Sequence, residues 1–431
     1  MSDTHEETIA FVRESEIPAA PPPERQAGAI RWVRDNLFST WFNAIVTLVA
    51  LYVIWWLLSG LIPWIVNGTW EGSSVLECRE ILQGETGGCF SVLRERWSQL
   101  LFGFQYPPSL HWRPTLAFAL LFVAVPPALF FKLPRWMLVF TAVYPFLAYW
   151  LIWGGTIITP VFAAIGLVVG YLVFVRVEKR SFTLGLFAAL VAATVVWWFG
   201  GVIADEFSRV ARLRPVASRA MGGFMLNMIL GIVCVSLSLP LGILLALGRQ
   251  SRLPVVKGFC VIFIEFIRGV PLITLLFVAN VILAFFLPPG TNFDLILRVI
   301  IMITLFASAY IAEVIRGGLA ALPKGQYEAG DSLGLNYAQS MRLIILPQAL
   351  KISIPGIVNV AVGLFKDTTL VSVISMYDLV GIIRGSILAS TAWSGIYWEL
   401  WVAACAMFFI VCYGISQYSQ WLERQLRTDH R

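Results

Sequence analysis

Charge is what this sequence has least of. Asp, Glu, Lys and Arg supply 13% of its 431 residues, about half the share found in a soluble domain. Histidine is scarcer still. His5, His111 and His430 are the only three, all outside the apolar blocks, and no CxxC spacing accompanies them, so no metal site is expected. No Gly-Lys dipeptide occurs, which excludes a Walker-type phosphate loop and ATP hydrolysis by this chain alone. HExxH is absent and no reactive set is evident, so no catalytic residue, enzyme activity or resident cofactor is expected. The formal charge of +6 is spread over loops rather than gathered on one face, and gives no support to a nucleic-acid partner.

Apolar residues fill the space that charge leaves. They make up 58% of the chain, with 17 Trp, and mean hydropathy is +0.80. They stand in long blocks that a two-sided soluble core cannot bury, so lipid is the solvent for most of the chain. About 20 apolar residues cross a bilayer. That ruler places five spans at about 40–66, 114–131, 136–153, 158–175 and 182–203, and five more at 221–247, 270–288, 296–315, 347–365 and 396–418. The expected class is an all-α integral membrane protein with about ten transmembrane helices. A polar stretch at 210–220 separates the two sets of five.

Lys and Arg set the orientation. With the N-terminus in the cytosol, Arg34, Lys132, Arg135, Arg176, Lys179, Arg249, Arg252, Lys324, Arg342 and Arg424 all fall on the inner side. Both termini are therefore expected in the cytosol. Arg209, Arg212, Arg214 and Arg219 break the rule locally, after Asp205 and Glu206. Residues 1–38 are acidic and then Pro-rich, and read as a disordered cytosolic tail with no cleavable signal peptide. The polar loop 67–112 is expected outside, where an oxidising compartment would favour a disulfide between Cys78 and Cys89. Cys234, Cys260, Cys405 and Cys412 lie in apolar stretches and read as small hydrophobes.

One inner segment, 319–347, is neither apolar enough to span nor polar enough to be disordered. It reads as two short helices, 325–333 and 336–344, broken at Gly334, with Pro347 opening the next span. Within it, Glu328, Ala329 and Gly330, then Gly334, then Ile344, Leu346 and Pro347 stand at fixed offsets. This resembles the cytosolic-loop signature of ABC-importer permeases: Glu-Ala-Ala, three residues, Gly, nine residues, Ile-x-Leu-Pro. Gly330 in place of the third small residue is the one departure. The stretches Glu265 to Leu272, Ser308 to Gly318 and Lys366 to Ser372, with Asp378 and Leu379, are similar to the polar amino-acid branch of that family.

The resemblance covers about residues 219–425 and implies a five-helix permease core there. The preceding 39–210 would be a five-helix extension, a layout resembling the long permeases of Gram-negative importers for Glu, Gln, Asp and Asn. It further implies an inner-membrane permease subunit of an ATP-driven amino-acid importer, working by alternating access. The signature residues would dock on an ATP-binding subunit. The implied partners are a homologous permease, two ATP-binding subunits that hold ATP and Mg, and a periplasmic amino-acid-binding protein. An ion-gradient-driven secondary amino-acid transporter is the alternative, although the inverted repeats and interrupted spans such proteins carry are not evident.

Two pairs, Glu265 with Arg268 and Glu313 with Arg316, stand three residues apart and so share a helix face. Structural bracing is expected of both ahead of substrate contact. Lys366, Asp367, Thr368 and Thr369 fall at the far end of an apolar span, where ionisable groups usually line a water-filled path. They are open to three readings: contact with an amino-acid zwitterion, mutual pairing of Lys366 and Asp367, or an outer gate.

Overall fold

The structure, a computed structural model, describes residues 29–130, 132–180, 182–206, 211–282 and 294–426. Among the described residues no strand forms, and eight helices are long and apolar enough to cross a membrane. A helix pair, Pro254–Gly269 and Leu272–Ile282, passes the same test when taken together and is bent by 103°. A shorter apolar helix, Met137–Trp153, has 17 residues. In chain order the helices are α1 (Ala29–Leu37), α2 (Trp41–Val66), α3 (Val75–Leu82), α4 (Ser91–Phe102), α5 (Trp112–Ala124), α6 (Pro126–Leu129), α7 (Met137–Trp153), α8 (Ile158–Val177), α9 (Phe182–Glu206) and α10 (Gly223–Arg249). They continue with α11 (Pro254–Gly269), α12 (Leu272–Phe277), α13 (Leu295–Ala320), α14 (Lys324–Ser332), α15 (Tyr337–Ser340), α16 (Leu346–Asp367), α17 (Leu379–Ile382) and α18 (Trp398–Leu426).

Four local readings change. The expected tail 1–38 ends in a helix, because α1 sets Trp32, Val33 and Leu37 among charged residues at helical spacing; residues 1–28 lie outside the described residues. Pro126 and Pro127 break the helix between α5 and α6, within the one candidate span Pro108–Leu129 that answers to the expected 114–131. Residues 254–269 form a helix where an inner loop was expected. Lys257, Glu265 and Arg268 interrupt its apolar run, yet Phe259, Phe263 and Phe266 recur at helical spacing. Pro271 then ends that helix, with Val270 extended before it. The expected span 270–288 is described as far as Ile282.

The chain divides into two compact units, Met1–Gly68 with Gly84–Gly88, and Thr69–Gln83 with Cys89–Arg431. In the first, Thr40 caps α2 by accepting from Asn43 N at 3.2 Å, and Thr47 Oγ1 donates to the Leu37 carbonyl at 2.8 Å. No described residue of α2 is buried.

In the second unit, α10, α13, α16 and α18 form a packed bundle. The end at which α10 starts is covered by α3 and α4, which a disulfide between Cys78 and Cys89 joins with Cα atoms 6.0 Å apart. Val75, Cys78, Cys89, Val92 and Leu100 are buried with Leu379, Ile382, Ile383, Ile387, Trp393 and Leu400. Polar contacts reinforce the apolar ones. The buried Glu399 carboxylate accepts from Cys89 N at 2.9 Å, and Val75 N donates to the Ala392 carbonyl at 2.8 Å. The polar loop thus belongs to the bundle's own core.

Alkylation under denaturing conditions should modify four cysteines without reductant and six with it; six adducts at once would rule out the bridge. In the chain-entropy account, losing so short a loop closure costs about 3 kcal/mol.

The segment 211–218, expected as a boundary, is hydrogen-bonded to the end of α7. Gly155 and Leu213 exchange two backbone bonds at 3.0 Å, and Val216 N donates to the Trp153 carbonyl at 2.8 Å. Arg113 is fully buried beneath them. Its Nε reaches the Leu151 carbonyl at 2.7 Å and its Nη1 the Arg214 carbonyl at 2.8 Å. A cation there meets the carbonyl end of the α7 dipole.

Candidate functional site

Helix α16 carries candidate residues at both ends. Its start follows the hairpin 324–345. There α14 runs over nine residues and stops at Gly334, whose φ is +69°. Leu335 N donates back to the Gly330 carbonyl at 3.2 Å and Gly334 N to the Asp331 carbonyl at 2.9 Å. This is a left-handed glycine cap that satisfies the helix-end carbonyls. Gly330, the departure from the family pattern, has a steric reason. A Cβ there would lie 2.5 Å from Ser340 Oγ, so a larger residue would require the Ser340 hydroxyl to turn aside. Glu328 and Ala329 face outward and are exposed. Ile344 is half-buried against a cluster that includes Leu319, Met341 and Ile345.

The expected second short helix, 336–344, is not separate. Asn336 and Gln339 form a reciprocal capping box at 2.9 and 3.0 Å that starts α15. The chain then passes through a π-turn, Met341–Ile345, directly into α16. Pro347 is the reason for the wide turn. It lacks an N–H, and the helix keeps its course by bonding Leu346 N to the Met341 carbonyl. From Tyr337 to Ile374 the helix is continuous over 38 residues. Gln348 Nε2 ties it back to Gln326 in α14 at 2.9 Å.

The two expected ion pairs are brought together into one cluster near the same end. Glu313 pairs with Arg316, and Arg268 with Glu265 at 4.0 Å. Arg249, at the end of α10, joins them by reaching Glu265 at 2.9 Å and Glu313 at 3.3 Å, while Arg268 also lies 3.7 Å from Glu313. Three helices meet in five charges. Sequence reasoning missed Arg249 because its partners lie 16 and 64 residues away.

At the other end of α16, Lys366 is exposed, Asp367 and Thr369 are half-buried, and Thr368 is fully buried. Thr368 Oγ1 donates to the Phe365 carbonyl at 2.7 Å and accepts from Asn227 Nδ2 at 3.0 Å. The chain turns there into a 3-10 helix, Thr368–Ile374. Asp378, also fully buried, caps α17 by accepting from Val380 N and Gly381 N. Asn227 was missed. Its signal was that of a lone amide one turn into an apolar span, which must find partners when buried.

Asp378 lies in the turn between two spans, and burial pushes its carboxyl up to about 6, against the hydrogen bonds it accepts. The folded value exceeds the unfolded one. The stability this carboxyl contributes is therefore complete at acid pH and lost as pH rises through about 6. Between pH 5 and 7, the Tm of the purified protein should fall further than that of the non-titrating variant Asp378→Asn. Parallel Tm profiles in a thermal-shift series would contradict this.

The family model described as binding-protein-dependent transport system inner membrane component matches residues 238–428. Over its whole length the chain is 48% identical to the glutamate/glutamine/aspartate/asparagine transport system permease protein BztC of Rhodobacter capsulatus, covering 100% of both. It is 37% identical over 415 residues to the inner membrane amino-acid ABC transporter permease protein YhdY of Escherichia coli, covering 95% of this chain and 96% of that one. The probable glutamine ABC transporter permease protein GlnP of Bacillus subtilis is 32% identical over 206 residues, 47% of this chain and 90% of its own. A multi-pass helical bundle with these matches is an inner-membrane component of a binding-protein-dependent transport system. Within that class, the chain belongs to the family of amino-acid ABC-transporter permeases.

Proposed function

We propose that this chain is the translocating permease subunit of an ATP-driven importer for acidic amino acids and their amides. It works by alternating access with a homologous permease and is driven by two ATP-binding subunits, which hold ATP and Mg. A periplasmic binding protein delivers the substrate on the side of the α3–α4 hairpin, and both termini face the cytosol. The identity to the BztC protein supports the substrate class.

One observation carries the mechanism. The hairpin 324–345 is locked by its glycine cap, and its second arm runs unbroken into the helix that ends at Lys366 to Thr369. Thirty residues of helix rise about 45 Å. A push on the exposed Glu328–Ala329 surface is thereby delivered to the far end of the span, where Lys366 and Asp367 offer both signs of charge to a zwitterion. The cluster of Arg249, Glu265, Arg268, Glu313 and Arg316 braces α10, α11 and α13 beside that lever.

Purification in mild detergent should recover an ATP-binding subunit with this chain. Uptake in proteoliposomes should require ATP and survive collapse of ion gradients. Uptake that persisted without ATP and vanished with the gradient would favour a secondary transporter.

A further inference from the structure

The turn that holds Lys366 and Asp367 is held in turn by a polar node which no sequence motif announced. Asn227 sits one turn into α10 with no exposed surface. Its Nδ2 donates to Thr368 Oγ1 at 3.0 Å and to Asp378 Oδ2 at 3.2 Å, and its Oδ1 accepts from Leu379 N at 3.0 Å. Both amide protons and one acceptor are thus satisfied by segments 141 to 152 residues away. Thr368 spends its own proton on the Phe365 carbonyl at 2.7 Å, so its oxygen is free to accept only. Asp378 needs both oxygens: Oδ1 takes Gly381 N at 2.9 Å, and Oδ2 takes Val380 N at 3.3 Å together with Asn227. Gly223 N, four residues before Asn227, also donates to the Tyr377 carbonyl at 2.8 Å.

We propose that Asn227 and Asp378 are positioning residues for transport: through Thr368 they fix the backbone turn from which Lys366 and Asp367 project. This rests on the reading of 366–369 as the substrate path or gate. The physical argument is one of directed bonds in a dry setting. A buried amide with its donors committed has one orientation, and losing it leaves the Thr368 and Asp378 oxygens short of a partner. Apolar packing would exclude water from the turn equally well, but it would not set the angle at which two charged side chains leave it.

The test uses the assembled transporter in proteoliposomes and measures the KM for glutamate or glutamine uptake. Asn227→Ala and Thr368→Val should each raise KM by about tenfold, the effect of one buried hydrogen bond. The double variant should be no worse than the more impaired single one, since both remove the same link. Thr368→Ser, which keeps the hydroxyl, should restore the KM. Unchanged KM in Asn227→Ala and Thr368→Val, beside altered kinetics of either kind in Asp367→Asn, would overturn the positioning role and leave the path in place. Normal kinetics in Asp367→Asn would overturn the reading of the path itself, and the positioning role with it. If Thr368→Val loses assembly with its partners while the assembled fraction keeps a normal KM, the node is a folding brace and the proposal fails.

Discussion

Gly334→Val and Glu328→Lys should each abolish most uptake while the protein remains inserted in the membrane. For Gly334 the reason is the backbone. A Cβ at that position would meet nothing within 4 Å, but the residue holds φ at +69°. A β-branched side chain there costs about 1 kcal/mol or more, and a nine-residue arm can relieve that strain by swinging away. The cap would open, and with it the rigid presentation of Glu328. For Glu328 the reason is charge. It is exposed in the middle of α14, so lysine is tolerated by the fold but reverses the sign offered to a partner. Removing one buried, charge-assisted contact across an interface costs about 2 kcal/mol or more, enough to release the ATP-binding subunit from a detergent-purified complex. Co-purification and ATP-driven uptake together decide the matter. Normal values of both in either variant would remove 324–345 from the coupling path.

Asp367→Asn should lower uptake by about tenfold to a hundredfold, the range expected when one charge-assisted hydrogen bond is lost. The side chain keeps its size and its half-buried place at the end of α16, so the ATP-binding subunit should still co-purify. What changes is the charge complementing a substrate ammonium, or closing a gate against Lys366. Uptake kinetics separate the two. A raised KM with preserved maximal rate points to binding, and a lowered maximal rate with preserved KM points to the gate. Unchanged kinetics would show that neither role exists.

Several features were legible in the sequence because they depend on local chemistry. Most spans needed only a count of consecutive apolar residues: Trp41–Val66, Ile158–Val177, Leu184–Ala204 and Gly223–Arg249 lie within a few residues of expectation. The break at Gly334 was legible because a left-handed turn after a short helix calls for glycine. Cys78 and Cys89 were legible as the pair of cysteines in the one polar loop. The α11 helix was not, because Lys257, Glu265 and Arg268 broke the apolar window, and only the packed cluster with Arg249 and Glu313 explains why Glu265 and Arg268 are tolerated. The close approach of Ser340 to Gly330 was likewise not legible, because it joins the two arms of the hairpin.

By itself, then, the sequence determined the solvent and the class. Long apolar runs with little charge leave helices in lipid as the only way to satisfy the backbone, and a spaced loop signature identified the family. Only the tertiary structure decided that the loop bearing Cys78 and Cys89 is part of the bundle core, that five charges from three helices form one cluster, and that Asn227, Thr368 and Asp378 meet. Each of these joins residues far apart in the chain through directional bonds or shared burial. Such contacts leave no periodicity behind, because they depend on where helices cross rather than on how any one helix repeats.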